Sequence, residues 1–157
     1  MEQTILSGTV GSRLYGTNSL NSDYDKMSVY LADPMWYLTE AHGASARQKS
    51  ESRSDHTVYE FRFFVRLCES ANLNVLPLLY ATDLVKTGYH ANFLIQIRNK
   101  FLSKRLLNTG VGYAKQQLGN ALHKGKISTE KFGAQRKALI EDFGFDTKAA
   151  MHAIRLI

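Results

Sequence analysis

Alternating apolar and polar positions near the start of the chain predict two β-strands. The run TILSG at residues 4–8 is rich in β-favouring residues and ends in a glycine. In KMSVYL, Met27, Val29 and Leu31 alternate with their neighbours, which is the period-two pattern of a strand with one face on a core. Pro34 follows and ends the second strand.

A polar segment separates these strands from a region with helical spacing. Residues 41–54 are small, polar and mixed in charge, which predicts a loop. The stretch HTVYEF then predicts a brief strand. Phe61, Phe64, Val65 and Cys68 recur at helical spacing, so a helix is expected here with Cys68 in the core.

The second half of the chain predicts helices only. One stretch carries apolar or small residues on a single stripe, at Leu107, Val111, Ala114, Leu118 and Ala121. Ser128 opens an imperfect capping box with Lys131, and Asp146 is the predicted N-cap of the last helix. Strands with helices, followed by helices alone, indicate an α/β chain of the α+β kind.

Charge and cysteine content narrow the classes of partner and compartment. The 157 residues include 20 Lys and Arg against 14 Asp and Glu, giving a formal net charge of +6. Such an excess favours a polyanionic partner, nucleic acid or nucleotide phosphate. Cys68 is the only cysteine, so no internal disulfide can form. Without a signal-peptide pattern or an apolar run of bilayer length, a cytoplasmic location with no membrane partner is expected.

The stretch GSRLYGTNSLNSDYD, between the two predicted strands, has the composition of a ligand-binding loop. Gly11 allows the backbone to approach a ligand closely, and backbone N–H groups with the Ser12 hydroxyl can surround a phosphate. Asp23 and Asp25 are two residues apart, so a strand would send both carboxylates to one face. Oxygen ligands of this kind suit Mg²⁺. Either motif alone is common in surface turns, but the two together between strands favour a phosphate and metal site.

The same stretch, extended to KMSVYL, resembles the signature of nucleotidyltransferases of the DNA polymerase beta superfamily. In that signature, glycine-serine and a spacer precede Asp-x-Asp on a strand. The later segments YEFRFFVRLCESANLNVLPLLY, FLSKRLLNTGVGYAKQQL and FDTKAAMHAIRLI resemble successive blocks of a bacterial and phage group of predicted nucleotidyltransferases. Some members of that group are linked with RNA ligases.

The resemblance implies a nucleotidyltransferase fold, with a small mixed β-sheet, flanking helices and a helical C-terminal lobe. Residues 1–85 would form the catalytic core and residues 86–157 the lobe. Members of the group tend to continue past the helix containing MHAIRL, so the sequence corresponds either to a natural short form or to a fragment. The implied activity is transfer of a nucleoside monophosphate from an NTP with Mg²⁺ or Mn²⁺ as cofactor.

The resemblance also implies roles for individual residues. Gly11 and Ser12 would bind the nucleotide phosphates, and Asp23 and Asp25 would be catalytic metal ligands. Two-metal phosphoryl transfer usually needs a third carboxylate, which binds metal and activates the attacking hydroxyl. Asp55 is the first candidate for that role, with a plain capping function as its alternative, and Glu60 is the second candidate.

Two basic clusters are candidates for binding phosphate groups. Lys148, His152 and Arg155 lie on one face of the last predicted helix, and the resemblance implies that they face the triphosphate. Ser103, Lys104 and Arg105 form a second cluster that could bind nucleotide or acceptor phosphates. A solvated basic surface is the alternative for both clusters.

RNA, such as a tRNA end, is the expected acceptor, and a protein hydroxyl is the alternative. Two other functions stay open at this point. A protein that keeps the fold but binds nucleotide or RNA without turnover is suggested by Asn72-Leu73-Asn74 and Pro77, where the group usually has Asn-Pro-Asn and then glutamate. A simple RNA-binding protein is suggested by the charge alone.

Overall fold

The computed structural model describes residues 2–20, 22–39, 46–51, 54–122 and 132–156. The chain divides into two compact units, residues 1–103 and 104–157. The first unit contains the sheet and the second is helical, so the mixed α and β class predicted from the sequence is confirmed.

The first unit is built on a five-stranded mixed sheet. Its strands are β1 (Gln3–Val10), β2 (Tyr24–Leu31), β3 (Ala46–Glu51), β4 (Ser54–Glu60) and β5 (Val85–Lys86), in the spatial order β3-β4-β2-β1-β5. β2 and β4 run parallel, and the other neighbouring pairs are antiparallel. The boundary predicted after residue 85 falls inside β5, and the assignment of residues 1–85 as the catalytic core stays a prediction.

Short helices connect and flank these strands. They are α1 (Gly11–Leu14), α2 (Pro34–Leu38), α3 (Phe61–Glu69) and α4 (Gly88–Ile97), with 3-10 turns at Leu76–Tyr80 and Arg98–Phe101. Phe64 and Cys68 of α3 are buried, as the helical spacing predicts. Burial raises the pKa of the Cys68 thiol to about 12, so this cysteine is a core residue without nucleophilic character.

β3 is a strand where the sequence predicts a loop. Its six residues pair antiparallel with β4 over the whole register from Ala46↔Tyr59 to Glu51↔Ser54. The sequence does not indicate this strand because β3 lies at the sheet edge, where the side chains of Arg47, Gln48 and Lys49 are exposed, so no apolar alternation is required of it. Main-chain pairing with β4 and the ion pair of Arg47 with Glu2 hold this strand at the edge.

β2 is buried on both faces along its second half. Met27 and Val29 are buried as predicted, but Ser28 and Tyr30, which also lie in this half, are buried as well. The Arg47 guanidinium lies 5.3 Å from the centre of the Tyr30 ring and covers it. In this central strand, buried positions therefore do not alternate with exposed ones, although alternation in the sequence is what predicted the strand.

The second unit contains α5 (Lys104–Leu122), α6 (Ala134–Phe143) and α7 (Thr147–Ile154). Asp146 is the N-cap of α7, as predicted, and its carboxylate accepts a hydrogen bond from the Ala149 N–H at 3.2 Å. The predicted cap at Ser128 and Lys131 lies outside the described residues.

The apolar stripe predicted for α5 is only partly correct. Ala114 and Ala121 are buried, but Leu107, Val111 and Leu118 are exposed. The buried face of α5 consists of small residues, and α5 packs against α7, whose Ala149 and Ala153 are also buried. Small side chains allow two helices to approach closely, and here they determine the packing face more than large apolar residues do.

Candidate functional site

The junction between β1 and α1 requires glycine. Gly11 follows the last residue of β1 and has a φ of +67°, a backbone region that other residues rarely adopt. A Cβ built on Gly11 would lie 2.8 Å from the Asp25 Cγ, with a carboxylate oxygen closer still. Gly11 is therefore in direct contact with one of the predicted metal ligands. Ser12, the next residue, is half-buried in α1.

Arg13 holds the loop that leads into β2. Its Nη2 donates to the Ser22 carbonyl at 2.9 Å and its Nε donates to the Asp23 carbonyl at 3.3 Å. Its guanidinium also lies 3.5 Å from the centre of the Tyr24 ring. Arg13 thus connects α1 to the backbone beside the predicted metal ligands. The sequence interpretation missed it, although an arginine directly after Gly-Ser and ten residues before the first aspartate was a visible signal.

The sheet register brings two of the three predicted carboxylates together. Asp25 pairs with Val10 of β1 on one side and with Asp55 of β4 on the other. Directly paired residues of neighbouring strands lie on the same face, about 4.8 Å apart along the sheet. Asp25 and Asp55 are both half-buried, while Asp23 lies just before β2 and is exposed.

This pair of carboxylates supplies oxygen atoms of the kind that divalent cations bind. Among the residues that the structure describes, no three His, Cys, Asp or Glu side chains are grouped closely enough to hold a metal ion by themselves. Mg²⁺ in nucleotide sites is typically bound by one or two carboxylates, with substrate phosphates completing its coordination. The pair of Asp25 and Asp55 beside Gly11 is compatible with that arrangement, and the metal role of all three aspartates stays a prediction.

Glu60 has a structural role that differs from its predicted catalytic role. Its carboxylate accepts hydrogen bonds from the N–H groups of Arg62 and Phe63, both at 2.9 Å, and so caps α3. The Tyr37 hydroxyl donates to the same carboxylate at 2.6 Å. Burial and this hydrogen bond raise the pKa of Tyr37 to about 12. Since Glu60 ends β4 and Asp55 lies near its start, Asp55 is the better placed of the two candidates.

The predicted phosphate-binding residues Lys148 and His152 lie in α7, and Arg155 is its C-cap. The pKa of His152 is lowered, first by burial and then by Arg155, Lys148 and Arg136. Arg136, on α6, forms an ion pair with Asp146 through its Nη2 at 2.5 Å. The charges of Arg155, Lys148 and Arg136 therefore act on His152 against the opposing charge of Asp146, and the nucleotide-binding role of Lys148, His152 and Arg155 stays a prediction.

Ser103 and Lys104 lie where the two compact units divide. Both are exposed, Ser103 at the end of the first unit and Lys104 at the start of α5. Their predicted contact with nucleotide phosphates stays a prediction.

Comparison with known proteins identifies the class of this chain. A family model described as "RNA repair pathway DNA polymerase beta family" matches residues 2–157, which places the chain in the DNA polymerase beta superfamily. Within that superfamily the chain belongs to the RlaP family. The resemblance deduced from the Gly-Ser and Asp-x-Asp motifs is thereby confirmed.

A solved structure and the curated proteins add little to this assignment. The crystal structure of a nucleotidyltransferase-like protein from Exiguobacterium sibiricum is similar at 10% identity with a TM-score of 0.39. The alignment covers 99% of this chain and 48% of that one, so the chain spans about half the length of that structure. Among curated proteins, none matches significantly. No helix in the described part of the chain is long and apolar enough to cross a membrane.

Proposed function

We propose that this protein transfers a nucleoside monophosphate from an NTP to a hydroxyl group of RNA, with Mg²⁺ or Mn²⁺ as cofactor. The observation that supports this most directly is the pairing of Asp25 with Asp55 next to Gly11. A bound divalent cation would neutralise developing charge on the phosphates. The chain itself contributes the two carboxylates, the close backbone approach at Gly11 and the loop connection made by Arg13.

The proposed reaction is a displacement at the α-phosphorus. The acceptor oxygen forms a bond to the α-phosphorus while the bond to the bridging oxygen breaks and pyrophosphate leaves. The proton of the acceptor hydroxyl passes to a carboxylate, for which Asp55 is our candidate. Asp23, Asp25 and Asp55 would hold the metal, and Lys148, His152 and Arg155 are our separate candidates for binding nucleotide phosphates.

RNA is favoured as the acceptor on two grounds. The family description refers to RNA repair, and the chain carries a net charge of +6. A basic protein attracts the phosphate backbone of nucleic acid over long range. Protein hydroxyls are the alternative acceptor.

A second candidate function is nucleotide or RNA binding without turnover. Pro77 is at the first turn of the 3-10 segment Leu76–Tyr80, at the position where the resembling group usually has a glutamate. Upstream of this segment, the side chain of Asn72 accepts a hydrogen bond from the Asn74 N–H at 2.9 Å. This segment is a structural turn with no carboxylate to contribute.

The test separates these functions by following the nucleotide. Each NTP labelled at its α-phosphate is incubated with the protein, Mg²⁺ or Mn²⁺, and either total RNA or total protein. Label that becomes attached to RNA only when metal is present is the expected result. Label that becomes attached to protein would show that the acceptor is a protein hydroxyl and not RNA. NTP binding in calorimetry without any labelled product would favour the inactive protein.

A further inference from the structure

One row of side chains crosses four strands on the face of the sheet opposite to Asp25 and Asp55. Thr9 of β1 pairs with Lys26 of β2, Lys26 pairs with His56 of β4, and His56 pairs with Lys49 of β3. Residues paired in this way share a face. The row therefore consists of Thr9, Lys26, His56 and Lys49, and we call it the cationic row.

The cationic row is exposed and its charges are close together. Lys26 and Lys49 are both exposed. The pKa of His56 is lowered, first by burial and then by Lys26 and by Lys49, which indicates that both ammonium groups act on one ring. The ring Nε2 and the Ser28 Oγ form a hydrogen bond of 2.9 Å, which holds His56 in place.

The row is bounded on the β1 side by a carboxylate. Asp83 accepts hydrogen bonds from the Thr9 N–H at 3.0 Å and from the Thr9 hydroxyl at 2.6 Å. These hydrogen bonds and, to a smaller extent, the nearby charge of Lys26 lower the pKa of Asp83, so its negative charge persists beside Thr9 and Lys26. A polyanion would avoid this end and lie over β2, β4 and β3, where Lys26 and Lys49 are found.

The shape of the row suits a chain of phosphates better than one compact anion. Lys26 and Lys49 are on strands two positions apart, so their backbones are separated by about 10 Å. The two lysines are exposed, and His56 between them is half-buried, so the cations are arranged along a line. A linear set of separated cations can neutralise successive phosphates of a nucleic-acid backbone.

The row also lies close to the candidate catalytic residues. Lys26 directly follows Asp25, and His56 directly follows Asp55. Successive residues of a strand point to opposite faces, so only the thickness of the sheet separates the two sets of side chains. A strand of RNA on one face could therefore continue around the start of β2 and β4 toward the carboxylates.

We propose that the cationic row binds the sugar-phosphate backbone of the RNA acceptor, holding it on the sheet face opposite to the nucleotide site. This inference rests on the proposed function for its choice of RNA. Because the contacts are to phosphates, binding here is independent of base sequence. Neither the Asp-x-Asp motif nor the basic clusters of the second half indicate this surface.

The test measures RNA binding without catalysis. A 20-nucleotide single-stranded RNA carries fluorescein at its 5′ end and a 2′,3′-dideoxynucleotide at its 3′ end, so it has no terminal hydroxyl to accept a nucleotide. Fluorescence anisotropy is followed from 50 to 200 mM KCl, without NTP, for wild type and for K26Q/K49Q. The matched control is K86Q/K100Q, which removes two exposed lysines elsewhere in the same unit. Circular dichroism verifies folding of each variant.

The inference predicts a weaker salt dependence for K26Q/K49Q. The slope of log affinity against log salt should become shallower by about 1.4, because each phosphate of a single strand that a lysine neutralises contributes about 0.7 to the slope. Adenine-rich and uracil-rich RNA should show the same decrease in affinity, and the control should behave as wild type. A wild-type slope in K26Q/K49Q, or an equal decrease in both double variants, would overturn the inference.

The two proposals fail in distinguishable ways. If wild type binds RNA through the row but attaches no label from any NTP, the inference holds and the proposed activity is rejected. If label is transferred to RNA while K26Q/K49Q binds RNA as wild type does, the activity holds and the row is not the docking surface. If wild type binds no RNA at 50 mM KCl, both the row and the RNA acceptor are rejected.

Discussion

Gly11 and Asp25 are in direct contact, because the end of β1 and the start of β2 pair in a register that places the Asp25 carboxylate against the Gly11 α-carbon. This contact joins the predicted phosphate-binding turn to the predicted metal ligand. Any side chain at residue 11 must move the carboxylate.

Replacing Gly11 by alanine should therefore abolish nucleotide transfer. The added Cβ would displace the Asp25 carboxylate, and the positive φ would cost about 1–2 kcal/mol of stability for a residue with a side chain. Gly16→Ala is a matched control, since Gly16 has a φ of +66° but nothing within 4 Å of an added Cβ. In urea denaturation Gly16→Ala should lose only the stability that the positive φ costs, Gly11→Ala should lose at least as much, and only Gly11→Ala should lose transfer. Equal activity in the two variants would contradict the claim that a side chain at residue 11 displaces the Asp25 carboxylate.

Neutralising the paired carboxylates should stop transfer without unfolding the protein. Asp25→Asn and Asp55→Asn keep the shape of each side chain but remove the charge that a divalent cation needs. We expect the same effect from Asp23→Asn, because Asp23 is assigned as a ligand of the same cation. Labelled-NTP transfer and calorimetric titration with Mn²⁺ are the measurements, with the exposed Asp142→Asn as the control. Turnover at the wild-type rate in Asp25→Asn and Asp55→Asn would disprove the site assignment.

Removing the Arg13 side chain should loosen the loop that leads into β2. Arg13→Ala loses two hydrogen bonds to backbone carbonyls and the stacking on Tyr24, so we expect a loss of about 1–3 kcal/mol. Transfer should fall as well, because the segment carrying Asp23 is no longer held. Arg66→Ala, at an exposed position of α3, provides the comparison. Indistinguishable unfolding free energies for the two variants would mean that Arg13 does not stabilise this loop.

The second unit should lose stability as the pH falls below about 6.5. The pKa of His152 is lowered from 6.5 by burial and by the nearby positive charges of Arg155, Lys148 and Arg136, against the opposing effect of Asp146. The unfolded chain therefore binds a proton more readily than the folded chain, and the unfolding free energy decreases as the pH falls through this range. The contribution of His152 to the unfolding free energy is fully present above the pKa that this histidine has in the unfolded chain.

Unfolding by urea between pH 8 and pH 5 measures this effect. His152→Gln should flatten the pH dependence, because it removes the group that protonates on unfolding. Some dependence should persist, because burial and neighbouring lysines also lower the pKa of His56 in the first unit. An unchanged pH profile in His152→Gln would show that another group is responsible.

Local patterns in the sequence determined several parts of this protein. The Gly-Ser turn, the spacing of Asp23 and Asp25, the helix containing Phe64 and the N-cap at Asp146 all depend on residues within a few positions of one another. Backbone freedom at glycine, side-chain alternation and capping hydrogen bonds act over that same short range. The family resemblance rests on these local motifs, which is why the class of protein could be deduced from the sequence alone.

Only the tertiary structure decided which distant residues meet. The parallel register of β2 and β4 places Asp25 beside Asp55, and it also aligns Lys26 with His56 on the opposite face. β3 forms because β4 offers an edge for main-chain hydrogen bonds, which polar side chains do not reveal. The buried face of α5 follows the small residues that fit against α7 and leaves larger apolar residues exposed. Strand register and helix packing depend on partners far away in sequence, so no short-range pattern encodes them.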